Sequence, residues 1–390
     1  MIIVLLNNKL LSCDTITPFL FEVAEKNPGR AIELYCFNAQ TYDAICRNIV
    51  LWDALREFAS LRIFGSSSKT LLGRLVGRPK ALFRLARFCL LALSGKADFI
   101  HFKALNVWPL RLVHILNRGR TYFVQQSVAG STTLERQVDN IAKPRSYSDK
   151  EPAVTDFVAF RPNWDHLAYY RESEHGRHII SPPCNRPAWI AYLKQQSGKY
   201  LSEIGIAPDT RIITYILSSM DTNGFLRNAD DFPILFEETL QTLAKSADGV
   251  PIVVKPHPAT LPKYFDIQRE IIARNPQADV RYADINPMLL TFQSCFFVSN
   301  GYSSTFAMAK ERGITTIEYT DPSEEILEAT GGGSMRPDMV DHFIRRDADE
   351  LAATVSELLG RNSIGGKEPP REAVLSQAYE SLLNQVTAQY

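Results

Sequence analysis

Two stretches decide the reading of this chain: Val250-Pro251-Ile252-Val253-Val254-Lys255-Pro256-His257-Pro258 and, further along, Val298-Ser299-Asn300-Gly301-Tyr302-Ser303-Ser304-Thr305. In each, a short apolar run of the kind that forms a strand buried on both faces stops at polar residues that open a loop or a helix. Open α/β sheets bind ligands there, in the crevice beyond the carboxyl ends of their strands. One loop offers a cation and an imidazole. The other offers hydroxyls and backbone N–H groups at a helix start, so together they describe an anion pocket, most simply one for phosphate. A sugar-nucleotide enzyme is the function such a pocket implies.

Outward from these loops the second half alternates cleanly. Strands are expected at Arg211–Leu217, Val250–Lys255, Asp279–Tyr282, Cys295–Ser299 and Ile314–Tyr319, with helices at 232–246, 261–275, 287–292 and 304–312 between them. Beyond Gly331-Gly332-Gly333, helices at 348–360 and 370–387 finish the chain. The first half alternates too: strands Ile2–Leu6, Ala31–Phe37, Leu61–Phe64, Phe99–Lys103 and Thr121–Gln125, and helices at 15–27, 40–59, 68–95 and 107–117. Alternation of this kind predicts parallel sheets with helices on both faces. The expected fold class is α/β, with two doubly wound Rossmann-type domains facing a cleft, where ligands commonly sit. The boundary is expected near 183–190, giving domains 1–185 and 186–390, with the final helices free to pack back on the first domain. Residues 128–165 are polar and proline-punctuated without a clear period, and read as a functional loop.

A chain of 390 residues exceeds one ordinary core, and its 45% apolar and 22% charged residues are those of a globular protein. Formal net charge is zero, which argues against nucleic acid as a partner. The six cysteines lack CxxC or Cys/His spacing, so no disulfide framework or zinc site is indicated. Met1–Leu6 is apolar but has no basic residues before it and is interrupted by Asn7-Asn8-Lys9, which favours a first strand over a signal peptide. No GxGxxG or Walker motif is present. Between Glu57 and Asp98 the only charged residues are basic, interleaved with leucine and phenylalanine at helical spacing. Residues 62–96 therefore read either as an amphipathic helix on an anionic membrane or as one packed on the sheet with a basic outer face. The expected location is cytoplasmic, with peripheral contact at the inner membrane through that segment.

His257, held between two prolines after a buried strand, is the leading candidate for donating a proton or a hydrogen bond to a phosphate; a surface loop histidine is the plain alternative. Lys255 is either a phosphate counter-charge or half of an ion pair. Ser303, Ser304 and Thr305, after Gly301, either cap a helix or bind an anion. Asp221, in Met220-Asp221-Thr222-Asn223-Gly224, is a candidate base or nucleophile, or the start of an Asx turn. Asp230 and Asp231 read as the N-cap of the helix near Phe232. The backbone of Asp284-Ile285-Asn286 can read a nucleobase edge while Pro287 starts a helix, and Glu318 can hold ribose hydroxyls.

An acidic residue before a glycine, then Lys-Pro-His-Pro, then paired serines opening a helix resembles the bacterial transferases that use CMP-activated acidic sugars, namely the sialyltransferases and the Kdo transferases. The resemblance covers about residues 211–320. It implies a GT-B-like fold, a CMP-sugar donor, a glycan or lipid-linked glycan acceptor, and no metal or other cofactor. It also implies His257 on the CMP phosphate, Ser303 and Ser304 as phosphate ligands, and Asp221 as base or nucleophile. The sialyltransferase motif has two adjacent acidic residues before its glycine, whereas here Asp221 stands alone, which leans the reading toward the Kdo type. Glu151 is a candidate second carboxylate. The Lys-Pro-His-Pro strand and paired serines also resemble the glycerophosphotransferases that use CDP-glycerol, and an inactive nucleotide-binding relative is the third alternative.

Overall fold

The structure, a computed structural model, describes residues 1–7, 10–65, 71–126, 153–160, 175–217, 226–257, 262–360 and 377–388. The chain forms two compact units: 1–131 with 144–190 and 370–390, and 132–143 with 191–369.

The first unit is built on seven parallel strands: β1 (Ile2–Leu5), β2 (Ile32–Cys36), β3 (Ser60–Ile63), β4 (Asp98–His101), β5 (Thr121–Val124), β6 (Asp156–Ala159) and β7 (Gly176–Ile179), in the order β3-β2-β1-β4-β5-β6-β7. β1, β2, β4, β5 and β6 are buried at every residue, as strands covered by helices on both faces must be. Among the described residues, α1 (Leu10–Lys26), α2 (Ala39–Arg47), α3 (Ile49–Phe58), α4 (Leu71–Ser94) and α5 (Arg111–Leu116) accompany them. The sheet grows one way from β1 to β3 and the other way from β4 to β7, and with right-handed crossovers this single reversal puts α4 and α5 together on one face of the sheet. Phe88, Ala92 and Val113 from these two helices pack with Ile3, Leu5, Tyr35 and Phe99 of the strands.

The sequence differs from the structure at several points. The helix expected at 40–59 is two, because the backbone N–H of Asn48 donates to the Ala44 carbonyl at the end of α2 while its side-chain oxygen accepts from Leu51 N to begin α3. The helix expected at 107–117 is a 3-10 turn, Ala104–Asn106, followed by the shorter α5. α4 runs unbroken through Pro79, whose ring lies on the solvent side. The unpatterned stretch 128–165 contains β6, and β7 follows it. Both were missed because a four-residue strand is too short to display a period, and β7 is an edge strand only half buried. A carboxylate also opens β6: Asp156 accepts hydrogen bonds from Thr155 and Gln385, ion-pairs with Arg120 and hydrogen-bonds with His178 Nε2.

The helix α6 (Pro187–Glu203) carries the chain across the division at residue 190. The second unit has six parallel strands, β8 (Ile212–Ile216), β9 (Ile252–Lys255), β10 (Val280–Tyr282), β11 (Ser294–Ser299), β12 (Thr315–Thr320) and β13 (His342–Arg345), in the order β10-β9-β8-β11-β12-β13. Between them lie α7 (Phe232–Ser246), α8 (Pro262–Ala273), α9 (Pro287–Leu290), α10 (Phe306–Glu311) and α11 (Glu324–Thr330), and α12 (Ala348–Gly360) follows β13. The sequence reading lacked β13 and α11: β13 is an edge strand whose residues are half-buried or exposed apart from Ile344. Asp231 takes the N-cap position of α7 as expected, with Asp230 in the 3-10 turn before it, but its side chain makes no cap hydrogen bond; its carboxylate accepts from Asn228 instead.

The last described helix, α13 (Gln377–Thr387), belongs to the first unit, where Tyr379, Leu382, Leu383 and Val386 are buried against α1 and the β7 side of the sheet. Arg186 fastens it. The guanidinium lies 4.0 Å over the Tyr379 ring, pairs with Glu22 at 2.8 Å and also reaches Glu380. Leu383→Ala is expected to lower unfolding free energy by about 2–5 kcal/mol, whereas Glu350→Ala on an exposed face is expected to be nearly silent. Urea titration of both variants is the check.

Candidate functional site

In the second unit the strand order reverses between β8 and β11: β9 and β10 extend the sheet one way from β8, and β11 to β13 extend it the other. The loops leaving β8 and β11 therefore diverge, and the crevice opened at such a switch point, outside the carboxyl ends, is where doubly wound sheets bind ligands. All six strands are parallel, so the loops that carry His257, Asp284 and Gly301–Thr305 leave from this same edge. β9 and β11 flank β8 and so lie about 10 Å apart, two strand spacings. A nucleotide can bridge that span and a single hydrogen bond cannot.

The turn after β11 is held from below by one amide. Asn300 is 2% exposed; its NH2 group donates to Thr239 Oγ1 at 2.8 Å and to the Tyr319 carbonyl at 3.0 Å, and its oxygen accepts from the Tyr215 hydroxyl. Strands β8 and β12 and helix α7 thus all hold the same side chain. Gly301 follows at φ 102, a backbone conformation open to glycine and unfavourable for a side chain. The helix start expected at residue 304 is corrected: α10 begins at Phe306 and Ser303, Ser304 and Thr305 form the turn before it. Ser303 Oγ accepts from Thr305 N at 3.3 Å, and the carbonyls of Ser303 and Ser304 accept from Phe306 N and Ala307 N. The three hydroxyl residues remain half-buried at the edge.

On the other side of β8, His257 is half-buried directly beyond β9, after the buried Pro256. Lys255 is 5% exposed; its ammonium donates to the Pro256 carbonyl at 3.3 Å and faces Asp284 at 3.9 Å. Of the two roles open from sequence, ion pair and phosphate counter-charge, the structure sets a carboxylate against it. Asp284 begins the loop to α9. Ile285 is 1% exposed, so its side chain belongs to the core and only its backbone is left for a ligand. Asn286 caps the helix by accepting from Met288 N at 2.9 Å, and Pro287 occupies the first helical position, as expected from sequence.

Glu318, in β12, is buried; its carboxylate accepts from the Ser334 hydroxyl and from the Tyr302 backbone N–H. Burial outweighs these two hydrogen bonds and pushes its pKa up to about 7. Arg336 covers the group: its N–H donates to Ser334 Oγ at 3.1 Å, its guanidinium lies 5.4 Å over the Tyr302 ring, and it pairs with Asp338 at 2.8 Å. Sequence reasoning missed Asn300, Ser334 and Arg336 as parts of this edge. The triple glycine at 331–333 was the available signal, since it marks a tight turn bringing the next residues back to the sheet. Asp221 and Glu151 lie outside the described residues. Among the described residues no cluster of His, Cys, Asp or Glu is arranged to hold a metal ion, and no helix is long and apolar enough to cross a membrane.

No family model matches the sequence, and no curated protein is similar to it. Solved structures are similar in fold. Staphylococcus aureus MnaA with UDP superposes at a TM-score of 0.57 and 11% identity, over 99% of this chain and 95% of that one. The fold is of the GT-B kind. Arabidopsis thaliana UGT89C1 complexed with UDP gives 0.56 at 10% identity over 99% of both chains. Medicago truncatula UGT71G1 complexed with UDP-glucose gives 0.52 at 13%, over 99% and 98%. The GT-B fold class expected from sequence therefore holds, at an identity that shows the fold alone.

The raised pKa of Glu318 carries a signed consequence. Its folded value of about 7 exceeds the ordinary 4.5, so its contribution to stability is complete at low pH and is lost as pH rises through about 7. Glu318→Gln should remove that loss: its stability relative to the wild type should rise by roughly 2–3 kcal/mol between pH 4.5 and pH 8. Urea unfolding across this range checks it, and a difference independent of pH would contradict it.

Proposed function

We propose that the protein is a glycosyltransferase that moves an acidic ulosonic sugar, Kdo or sialic acid, from its CMP-activated donor to a bacterial surface glycan. The acceptor is a glycan or lipid-linked glycan of lipopolysaccharide O-antigen or capsule, elongated at the cytoplasmic face of the inner membrane. The observation that carries the reading is the gathering of the His257, Asp284–Pro287, Gly301–Thr305 and Glu318 positions at one carboxyl edge around a switch point. The resemblance of the Lys-Pro-His-Pro and paired-serine motifs to CMP-sugar transferases supplies the choice of donor. The UDP found in the solved structures of similar fold agrees with a nucleotide donor and leaves the base open.

In the proposed step the bond between the anomeric carbon and the phosphate oxygen breaks, and its electron pair leaves with CMP. Charge develops on the phosphate, so fixed donors there give the largest rate gain. His257 and the hydroxyl and backbone N–H groups of Ser303 and Ser304 are assigned to it, with Thr305 and Lys255 at its margin. Glu318 takes the ribose hydroxyls in exchange for its bond to Ser334, and the backbone of Asp284, Ile285 and Pro287 borders the base. The acceptor oxygen bonds to the anomeric carbon and its proton passes to a carboxylate, Asp221 or Glu151. No metal or other cofactor is assigned a role.

Calorimetry with CMP, CDP, UDP and GDP followed by transfer assays with CMP-Kdo and CMP-sialic acid is the test. CMP is expected to bind tightest, and His257→Ala to lower kcat by about 10²- to 10³-fold with the nucleotide still bound. Turnover with a UDP-hexose and neither CMP donor would overturn the donor assignment. A phosphorus-containing product from CDP-glycerol would instead identify a polyol phosphotransferase, and CMP binding without any transfer an inactive relative.

A further inference from the structure

We infer that the outer surface of α4, with the adjoining turn before α5, is a docking face for an anionic lipid bilayer. At about 100° per residue, Leu82, Leu93, Ala86, Pro79, Leu90 and Phe83 fall on a single arc of α4 roughly 100° wide. All six are exposed, with Leu82 at 65%, Phe83 at 73% and Leu90 at 68%. The opposite side of the same helix carries Phe88 and Ala92, both fully buried against the sheet. The helix is thus apolar on both its inner and outer sides. Packing on the sheet accounts for only one of them. Exposed Arg78 and Lys80 border the outer arc on its two edges. Against α4 packs α5, and there Ile115, with Val107 and Trp108 in the turn before it, is 55–63% exposed.

Charge selects the occupant. Between Glu57 and Glu135 the sequence has twelve lysines and arginines and one acidic residue, Asp98, which is fully buried and paired with Arg30. Glu33, from outside this span, pairs with Arg87 on the flank of α4 at 2.6 Å, whereas Arg78 and Lys80 beside the apolar arc are exposed. A second copy docked on the same face about a two-fold axis would set these cations against one another. An apolar stripe bordered by lysine and arginine, with a tryptophan beside it, is the pattern of a helix lying in the headgroup region of an anionic leaflet. The inference rests on this face alone and holds whichever nucleotide the second unit takes.

The test is co-sedimentation of the full chain, without nucleotide, with vesicles of phosphatidylcholine alone or mixed with phosphatidylglycerol. Binding is expected to the mixed vesicles, weakening as salt rises, and to be at least about tenfold lower for F83S/L90S and for R78E/K80E. Both pairs replace exposed side chains, and unchanged melting temperatures would confirm that the fold persists. Failure to sediment with phosphatidylglycerol vesicles would overturn the inference, as would binding unaffected by either pair. So would a dimer, seen by light scattering, that F83S/L90S dissociates. Loss of vesicle binding with CMP affinity intact separates this inference from the donor assignment.

Discussion

The second unit depends on the burial of one amide. Asn300 lies at the carboxyl end of β11 and satisfies its three hydrogen-bonding groups on Tyr215, Thr239 and Tyr319, which belong to the two neighbouring strands and a covering helix. A buried amide with a missing partner costs more than a satisfied one contributes, so the three side chains of Asn300, Tyr215 and Thr239 and the Tyr319 carbonyl have one arrangement in which all are satisfied. Gly301 then turns the chain and Tyr302 presents its N–H to Glu318. The turn with its three hydroxyl residues is aimed from below by the core.

The same anchoring explains what was legible in the sequence. Central strands such as β1, β8 and β9 are buried along their whole length, and continuous apolar runs announce them. Edge elements have no such run. β7 and β13 carry arginine and histidine and bury few residues; β6 is internal and fully buried, but it is four residues long and opens on Asp156, whose partners Arg120, His178 and Gln385 are distant in sequence. The pairing that makes them strands is written in their neighbours.

For the candidate site, the loops were legible because strand ends are. His257, Gly301 and the hydroxyl turn follow buried runs directly, and parallel pairing brings them to one edge without further information. What lay hidden was the set of residues returning from elsewhere, Ser334 and Arg336, whose place depends on the turn at 331–333 and the pairing of β13 with β12. Charge was legible as pattern and silent on location: the basic run around α4 gave its composition, while exposure of Leu82, Phe83 and Leu90 on the side away from the sheet is a fact of three dimensions.

The return of α13 to the first unit also orders events during synthesis. Tyr379 and Leu383 complete a core whose other members, Phe19 among them, leave the ribosome hundreds of residues earlier. Until the last helix emerges, Arg186 and Glu22 have each other but lack the Tyr379 ring, and the apolar groove on α1 stands open to water. The unit that begins the chain is therefore the one whose native core closes last, and the second unit can mature while its predecessor is still waiting. A nascent chain of this design exposes that apolar groove until residues 377–387 have been made.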